Sequence, residues 1–177
     1  MTTKQSPLVI TDKGRFAGAF VSRAAMREAQ LTHKQRIFQD LKNVGMTSYG
    51  LIKLETKELP KIIHPHEHIK GVVYGRAKTG LAMLVATDCR VIFLDKKPFA
   101  LTMDEMTYDV VSGVSFGQAA SFVGITLHTR TGNYAFRFVN KNCARNFVEY
   151  IETKRLEQGP FSGGDTQIGN YMRQTEY

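Results

Sequence analysis

The stretch Phe122-Val-Gly-Ile-Thr-Leu-His-Thr129, Arg130-Thr-Gly-Asn133, Tyr134-Ala-Phe-Arg-Phe-Val139 and Asn140-Lys-Asn-Cys-Ala-Arg-Asn-Phe-Val-Glu-Tyr-Ile151 decides the fold. Successive residues of an extended chain point to opposite faces, so Val123, Ile125 and Leu127 share one face, as do Tyr134, Phe136 and Phe138 on the next segment. Thr131-Gly132-Asn133 between them is turn chemistry. After Asn140, a good helix N-cap, the apolar spacing changes to Ala144, Phe147, Val148 and Ile151, one stripe of a helix that ends near Gln158 before Gly159-Pro160. A hairpin followed by an amphipathic helix is the closing move of a small barrel.

Upstream, the period near two persists for about eighty residues after Pro60. The spacing predicts strands at Glu67–Ala77, Leu81–Thr87, Arg90–Asp95, Phe99–Met103, Tyr108–Phe116, Phe122–Thr129 and Tyr134–Val139. The turns between them are too short for the crossover helices that parallel pairing needs, so the strands are antiparallel. Further upstream the pattern is helical. Ser22–Gln30 favours helix, Thr32 and Gln35 have capping-box spacing, Ile37, Phe38, Leu41 and Val44 fall on one face, and Gly45 is placed to end the helix. A short helix is expected over Gly50–Glu58, stopped by Pro60, and a loose arm or short strand near Pro7–Ile10. The organisation is an N-terminal arm with helices (1–57), a β domain (58–158) and a polar, Gly-rich tail (159–177).

Composition sets the outer limits. The 177 residues are 42% hydrophobic and 23% charged, which fits a globular domain and excludes wholesale disorder. No apolar run approaches the ~18 residues of a membrane span, and Met1–Ser6 is no secretory signal, so the expected location is the cytoplasm. Cys89 and Cys143 have no Cys-x-x-Cys partner and read as free thiols. Lys plus Arg exceed Asp plus Glu by 24 to 16, an excess concentrated in the first 57 residues. Such a charge attracts anions of many kinds without choosing among them.

Four segments carry a resemblance: Ile63-His-Pro-His-Glu-His-Ile69, Val85-Ala-Thr-Asp-Cys-Arg-Val-Ile-Phe93, Tyr108-Asp-Val-Val-Ser-Gly-Val114 and Phe147-Val-Glu-Tyr-Ile151. Their order resembles bacterial pleckstrin-homology (PH) domains of the YokE-like kind, over about residues 59–156. The resemblance implies an α+β, mainly β fold: a seven-stranded antiparallel split barrel capped by the C-terminal helix, here with an N-terminal helical extension. It also implies a non-enzymatic module that binds a protein partner or its own copies, with homo-oligomers expected.

No catalytic constellation or cofactor-binding loop is visible, so neither a catalytic residue nor a cofactor is expected. Gly113-Val-Ser-Phe-Gly117 lies inside a strand pattern with no helix after it, unlike a nucleophile elbow. His64, His66 and His68 alternate as metal ligands on a strand would, but Pro65 and the loop setting make them solvated lead-in residues, and no metal is expected. Asp104, Glu105 and Asp109 read as hairpin carboxylates. Two surface candidates remain. Arg76, Lys78, Lys96 and Lys97 form a basic rim, because the turns after the first and third strands lie at one end, and Lys70, Arg76 and Lys78 resemble the basic pattern with which lipid-binding PH domains grip inositol phosphates; such a rim draws weakly on an anionic membrane surface. Ile37, Phe38, Leu41 and Val44 form an apolar stripe that must be buried on the chain's own barrel or on a neighbour's. The basic residues Arg23, Arg27, Lys34, Arg36 and Lys42 share helices with that stripe, so nucleic acid is not an expected partner.

Overall fold

In the computed structural model, which describes residues 23–119 and 122–157, three N-terminal helices precede seven strands and a last helix. The helices are α1 (Arg23–Asn43), α2 (Ser48–Leu51), α3 (Leu54–Ile62) and α4 (Lys141–Glu157). The strands are β1 (Ile69–Ala77), β2 (Gly80–Thr87), β3 (Val91–Lys96), β4 (Leu101–Met106), β5 (Val111–Ala119), β6 (Phe122–Thr129) and β7 (Gly132–Val139). They form one antiparallel sheet in the order β4-β3-β2-β1-β7-β6-β5. Only Arg76 and Arg137 pair across β1 and β7, so the sheet is split there into two lobes. Residues 1–22 and 158–177, which hold the expected arm and tail, lie outside the described residues.

Two apolar clusters meet at β1–β3. The inner one joins Val73, Leu84, Phe93, Ile125, Leu127 and Phe136 to Ala144, Phe147 and Ile151 of α4, which plugs the sheet as its apolar stripe requires. The outer one places Ile37 and Leu41 of α1, Val44 just after it and Leu59 of α3 on Val72, Met83, Val85, Ile92 and Leu94. Strands β2 and β3 are therefore covered on both faces. Burying an Ile or Leu side chain fully contributes roughly 1.5–3 kcal/mol, so the helical extension is held by more than capping or propensity. Asn140 caps α4 as expected, its Oδ1 accepting from the N–H groups of Asn142 (3.0 Å) and Cys143 (3.2 Å).

Several local expectations are corrected. Helix α1 is continuous through Thr32, whose Oγ1 donates back to Glu28 O (2.9 Å) instead of capping a new helix. The Ala, Arg, Glu and Gln residues before it are good helix formers, and nothing between them breaks the run. Gly45 ends α1 with φ of 90°. Met46 N–H donates to Leu41 O (2.9 Å) and Gly45 N–H to Lys42 O (3.0 Å), the pairing of a Schellman motif. The Gly50–Glu58 helix is two short helices, and Pro60 sits inside α3, which runs on to Ile62 because Ile63 N–H still finds Leu59 O at 2.9 Å. Tyr108 belongs to a 3₁₀ turn, Tyr108–Val110, not to β5.

Phe138 does not share the inward face with Tyr134 and Phe136. Val139 pairs with Val123 and Arg137 with Gly124, leaving Phe138 as an extra, bulged residue with φ of 59°. The bulge turns Phe138 outward and Val139 into the core. At the crossing of β1 and β7 a Cβ on Gly75 would stand 2.6 Å from Arg137 O, so only glycine admits that approach.

Candidate functional site

The polar residues that punctuate the quoted segments converge on one buried knot. Thr87 closes the β2–β3 turn by accepting at Oγ1 from Arg90 N–H (3.0 Å) and Cys89 N–H (3.2 Å), and donates to Glu67 Oε1 (2.7 Å). Arg90 grips both oxygens of Glu67 through Nε and Nη2, at 3.0 Å each, and reaches Ile62 O (3.2 Å) and the Glu105 carboxylate. His64 N–H donates to Glu67 Oε2 (3.1 Å). Tyr108 and Tyr150 both donate to Thr87 O, their rings edge to face at 6.3 Å. Burial alone pushes the Glu67 carboxyl up, but Arg90, Thr87 and the His64 amide together hold it below the usual carboxylate range. Burial pushes the Tyr108 hydroxyl up. The bonds of these groups run to one another, so the knot ties the start of β1, the β2–β3 turn, β4, the 3₁₀ turn and α4 together.

Arg36 extends the knot to α1. Its Nη1 donates to Glu67 O (2.6 Å) and its Nη2 to His64 O (3.2 Å) and His33 Nδ1 (3.1 Å). A guanidinium only donates and a carbonyl only accepts, so His33 carries its proton on Nε2, which meets Ile63 O at 3.0 Å. His68 Nδ1 lies 3.1 Å from Arg36 Nη1 and 3.4 Å from Asp40 Oδ2. The alternating histidines do not converge: among the described residues no cluster of His, Cys, Asp and Glu could hold a metal ion. On the outer face of the second lobe, His128 bridges Ser115 Oγ (2.7 Å, Nε2) and Asn133 Oδ1 (3.1 Å, Nδ1); the tight β6–β7 turn sets Asn133 opposite it, and Ser115 comes from β5.

The five rim candidates divide. Lys96 lies 3.8 Å from Glu58, and Lys97 pairs with Asp95 (2.7 Å) and reaches Leu81 O at 3.4 Å beside the β1–β2 turn. Lys70 is exposed at the other end of β1, roughly 20 Å from Arg76 by strand rise. Arg76 and Lys78 are exposed, and Arg137 joins them from β7. Together these three rim a cavity of about 620 Å³ in the split between the lobes, whose floor includes Phe93, Tyr134 and Phe136. Arg137 went unnoticed in the sequence because only the β1–β7 pairing brings it there. Of the apolar stripe, Ile37, Leu41 and Val44 are buried on the chain's own sheet and Phe38 is half-buried.

A model of the bacterial PH domain matches residues 63–153, just over half of the chain. The chain belongs to that family. The match contains the whole Glu67–Thr87–Arg90–Tyr108 knot, so the polar signature of this PH domain is architectural. PH domains are in general binding modules, not enzymes, and mediate protein or lipid interactions. Among solved structures, this PH domain is similar to a DUF1696 family protein with a pleckstrin-homology domain from Shewanella loihica PV-4. That protein is 16% identical, the alignment covers 57% of this chain and 89% of the other, and the TM-score is 0.33. No curated protein matches. No described helix is long and apolar enough to cross a membrane.

Proposed function

We propose that this PH domain is a non-enzymatic assembly module that pairs with copies of its own chain through the free edge of β5, and so serves as a protein-interaction scaffold in the cytoplasm. The observation that supports it is the edge itself. Strand β5 ends the sheet order, and its nine residues Val-Ser-Gly-Val-Ser-Phe-Gly-Gln-Ala carry neither a charge nor a proline. Sheets normally guard a free edge with one or the other. The opposite edge, β4, does so with Asp104 and Glu105. Arg155 Nη1 occupies Ser112 O (2.9 Å) at the start of β5. Ser115, Phe116 and Gly117 beyond it are exposed. A second β5 laid antiparallel would add backbone hydrogen bonds worth about 0.5–1.5 kcal/mol each and close about a two-fold axis.

Light scattering coupled to size-exclusion chromatography tests this on the full chain. A dimer or larger closed assembly is expected at micromolar concentration, reduced to monomer by Ser115→Lys and by Gly117→Pro. A strict monomer for the parent chain, or an assembly indifferent to both changes, refutes it.

The convergence of Arg76, Lys78 and Arg137 favours a second reading, attachment to an anionic membrane surface, at ~1 kcal/mol per basic residue near the headgroups. Flotation with anionic vesicles should then fail in high salt and after Arg76→Glu. Absence of flotation at low salt removes this reading.

A further inference from the structure

Phe138 holds an unfavourable posture: among the described residues it is the one non-glycine with positive φ, and its ring is 60% exposed. Bulky L-residues avoid that region, and the β7 bulge holds Phe138 in it; residues held in such strained conformations cluster at functional sites. Beside it, Arg76 and Arg137 sit directly opposite each other across the lobes. Like charges so placed repel, and neither pairs with a carboxylate among the described residues.

Phe138 and Arg76, which also line the split between the lobes, border a second cavity on the other side of them, whereas Arg137 lines only the first. The second measures about 400 Å³ and lies on the outer side of the sheet, between α2, β1 and the end of β7. Its walls include Met46, Tyr49, Tyr74, Leu81 and Phe138 with the polar Thr47 and Asn140, and among the described residues Arg76 is the one charged side chain that lines it. The Tyr49 and Tyr74 rings meet edge to face at 6.4 Å, and Lys53 Nζ sits 3.3 Å over Tyr49, which holds that wall in place. Burial, with Glu55 and Tyr49 nearby, pushes the Tyr74 hydroxyl up to about 12, so it remains a donor at neutral pH. Small-ligand sites are typically clefts of roughly 300–1,000 Å³, apolar in the main, with a few polar groups that orient the occupant.

We propose that this cavity is the binding site of a small soluble organic anion, a carboxylate on a flat apolar body, with the carboxylate on Arg76 and the body against Tyr49, Tyr74 and Phe138. A guanidinium presents two parallel N–H groups that match a carboxylate, and a bound anion relieves the repulsion between Arg76 and Arg137. The outturned Phe138 ring supplies one face of the slot, which an inward ring could not. One positive charge in a lining whose other residues are neutral suits a monoanion.

Isothermal titration calorimetry of the full chain with 2-naphthoate tests the site. Saturable binding of one naphthoate per chain is expected. Acetate, which lacks the body and so its apolar burial, and 2-naphthalenemethanol, which lacks the charge that pairs with Arg76, should each bind at least about tenfold more weakly. Arg76→Gln should cost a similar factor. Phe138→Asn, whose side chain tolerates a positive φ, should weaken binding while leaving cooperative thermal unfolding intact. Lys70→Gln, at the far end of β1, and Ser115→Lys, on the β5 edge, should leave the affinity unchanged. The last variant separates this site from the assembly surface. Absence of saturation, equal affinity for the neutral analogue, indifference to Arg76→Gln, or uptake by anionic vesicles without naphthoate binding would each overturn the proposal.

Discussion

Replacing Glu67 by Gln tests whether the polar knot holds the fold. Its carboxylate is almost wholly buried and accepts from four donors: Thr87 Oγ1, Arg90 Nε and Nη2, and the His64 amide. Glutamine keeps one oxygen and points an NH₂ group at donors, leaving Arg90 with Glu105 as its remaining carboxylate. Removing one member of a buried ion pair costs about 3–5 kcal/mol. Because Glu105 stays, the low end applies, about 3 kcal/mol. For a chain of this length each kcal/mol moves the midpoint by about 2–4 °C, so Tm should fall by roughly 6–12 °C. Circular dichroism melts at pH 7 measure this directly.

The pH dependence adds a signed check. The folded-state pKa of Glu67 lies below its ordinary value of 4.5. The unfolded state therefore binds the proton more readily, and the stability that Glu67 contributes is present above pH 4.5 and lost as pH falls through the folded value. The gap between the parent chain and the Gln variant should narrow over that acid window. A Tm within about 3 °C of the parent at pH 7, half the smallest shift expected, or a gap that stays constant into acid, would refute the knot as the source of stability.

Three further outcomes follow from local geometry. Gly75→Ala sets a Cβ 2.6 Å from Arg137 O and 3.0 Å from Val139 Cγ2; the backbone cannot yield like a side chain, so urea unfolding should show a loss at or above the ~1–3 kcal/mol typical of overpacking. Gly45→Ala has room for its methyl, with Cys143 Sγ 3.9 Å away, but φ of 90° penalises it, and a loss of about 1–2 kcal/mol is expected in the same assay. A maleimide should label Cys89, which is exposed, in the native protein, and Cys143 only in urea, because that thiol is buried and donates to Gly45 O (3.0 Å). Equal labelling rates would show that the start of α4 is open.

Period and punctuation are local properties, and they made most of the architecture legible. The alternation of Val123, Ile125 and Leu127, the stripe of Ala144, Phe147 and Ile151, the Asn140 cap and the Gly45 stop each depend on residues within a few positions of one another. A sequence constrains such neighbours directly, because the backbone geometry that relates them is nearly fixed. The division of the basic rim was not legible in this way. Glu58 and Asp95 neutralise Lys96 and Lys97, while Arg137 comes to Arg76 from sixty-one positions away, through a single β1–β7 pair.

Hydrophobic periodicity located the strands, the capping helix and the apolar stripe that begins in α1, because it needs no knowledge of the partner face. Long-range packing, by contrast, laid the stripe on the chain's own sheet, turned Phe138 outward at a bulge and set two arginines opposite each other beside the split between the lobes. Those outcomes depend on register and on the crossing of two lobes. A one-residue slip in register reverses every side chain on a strand, and nothing within the strand itself records which slip the neighbouring strand will impose.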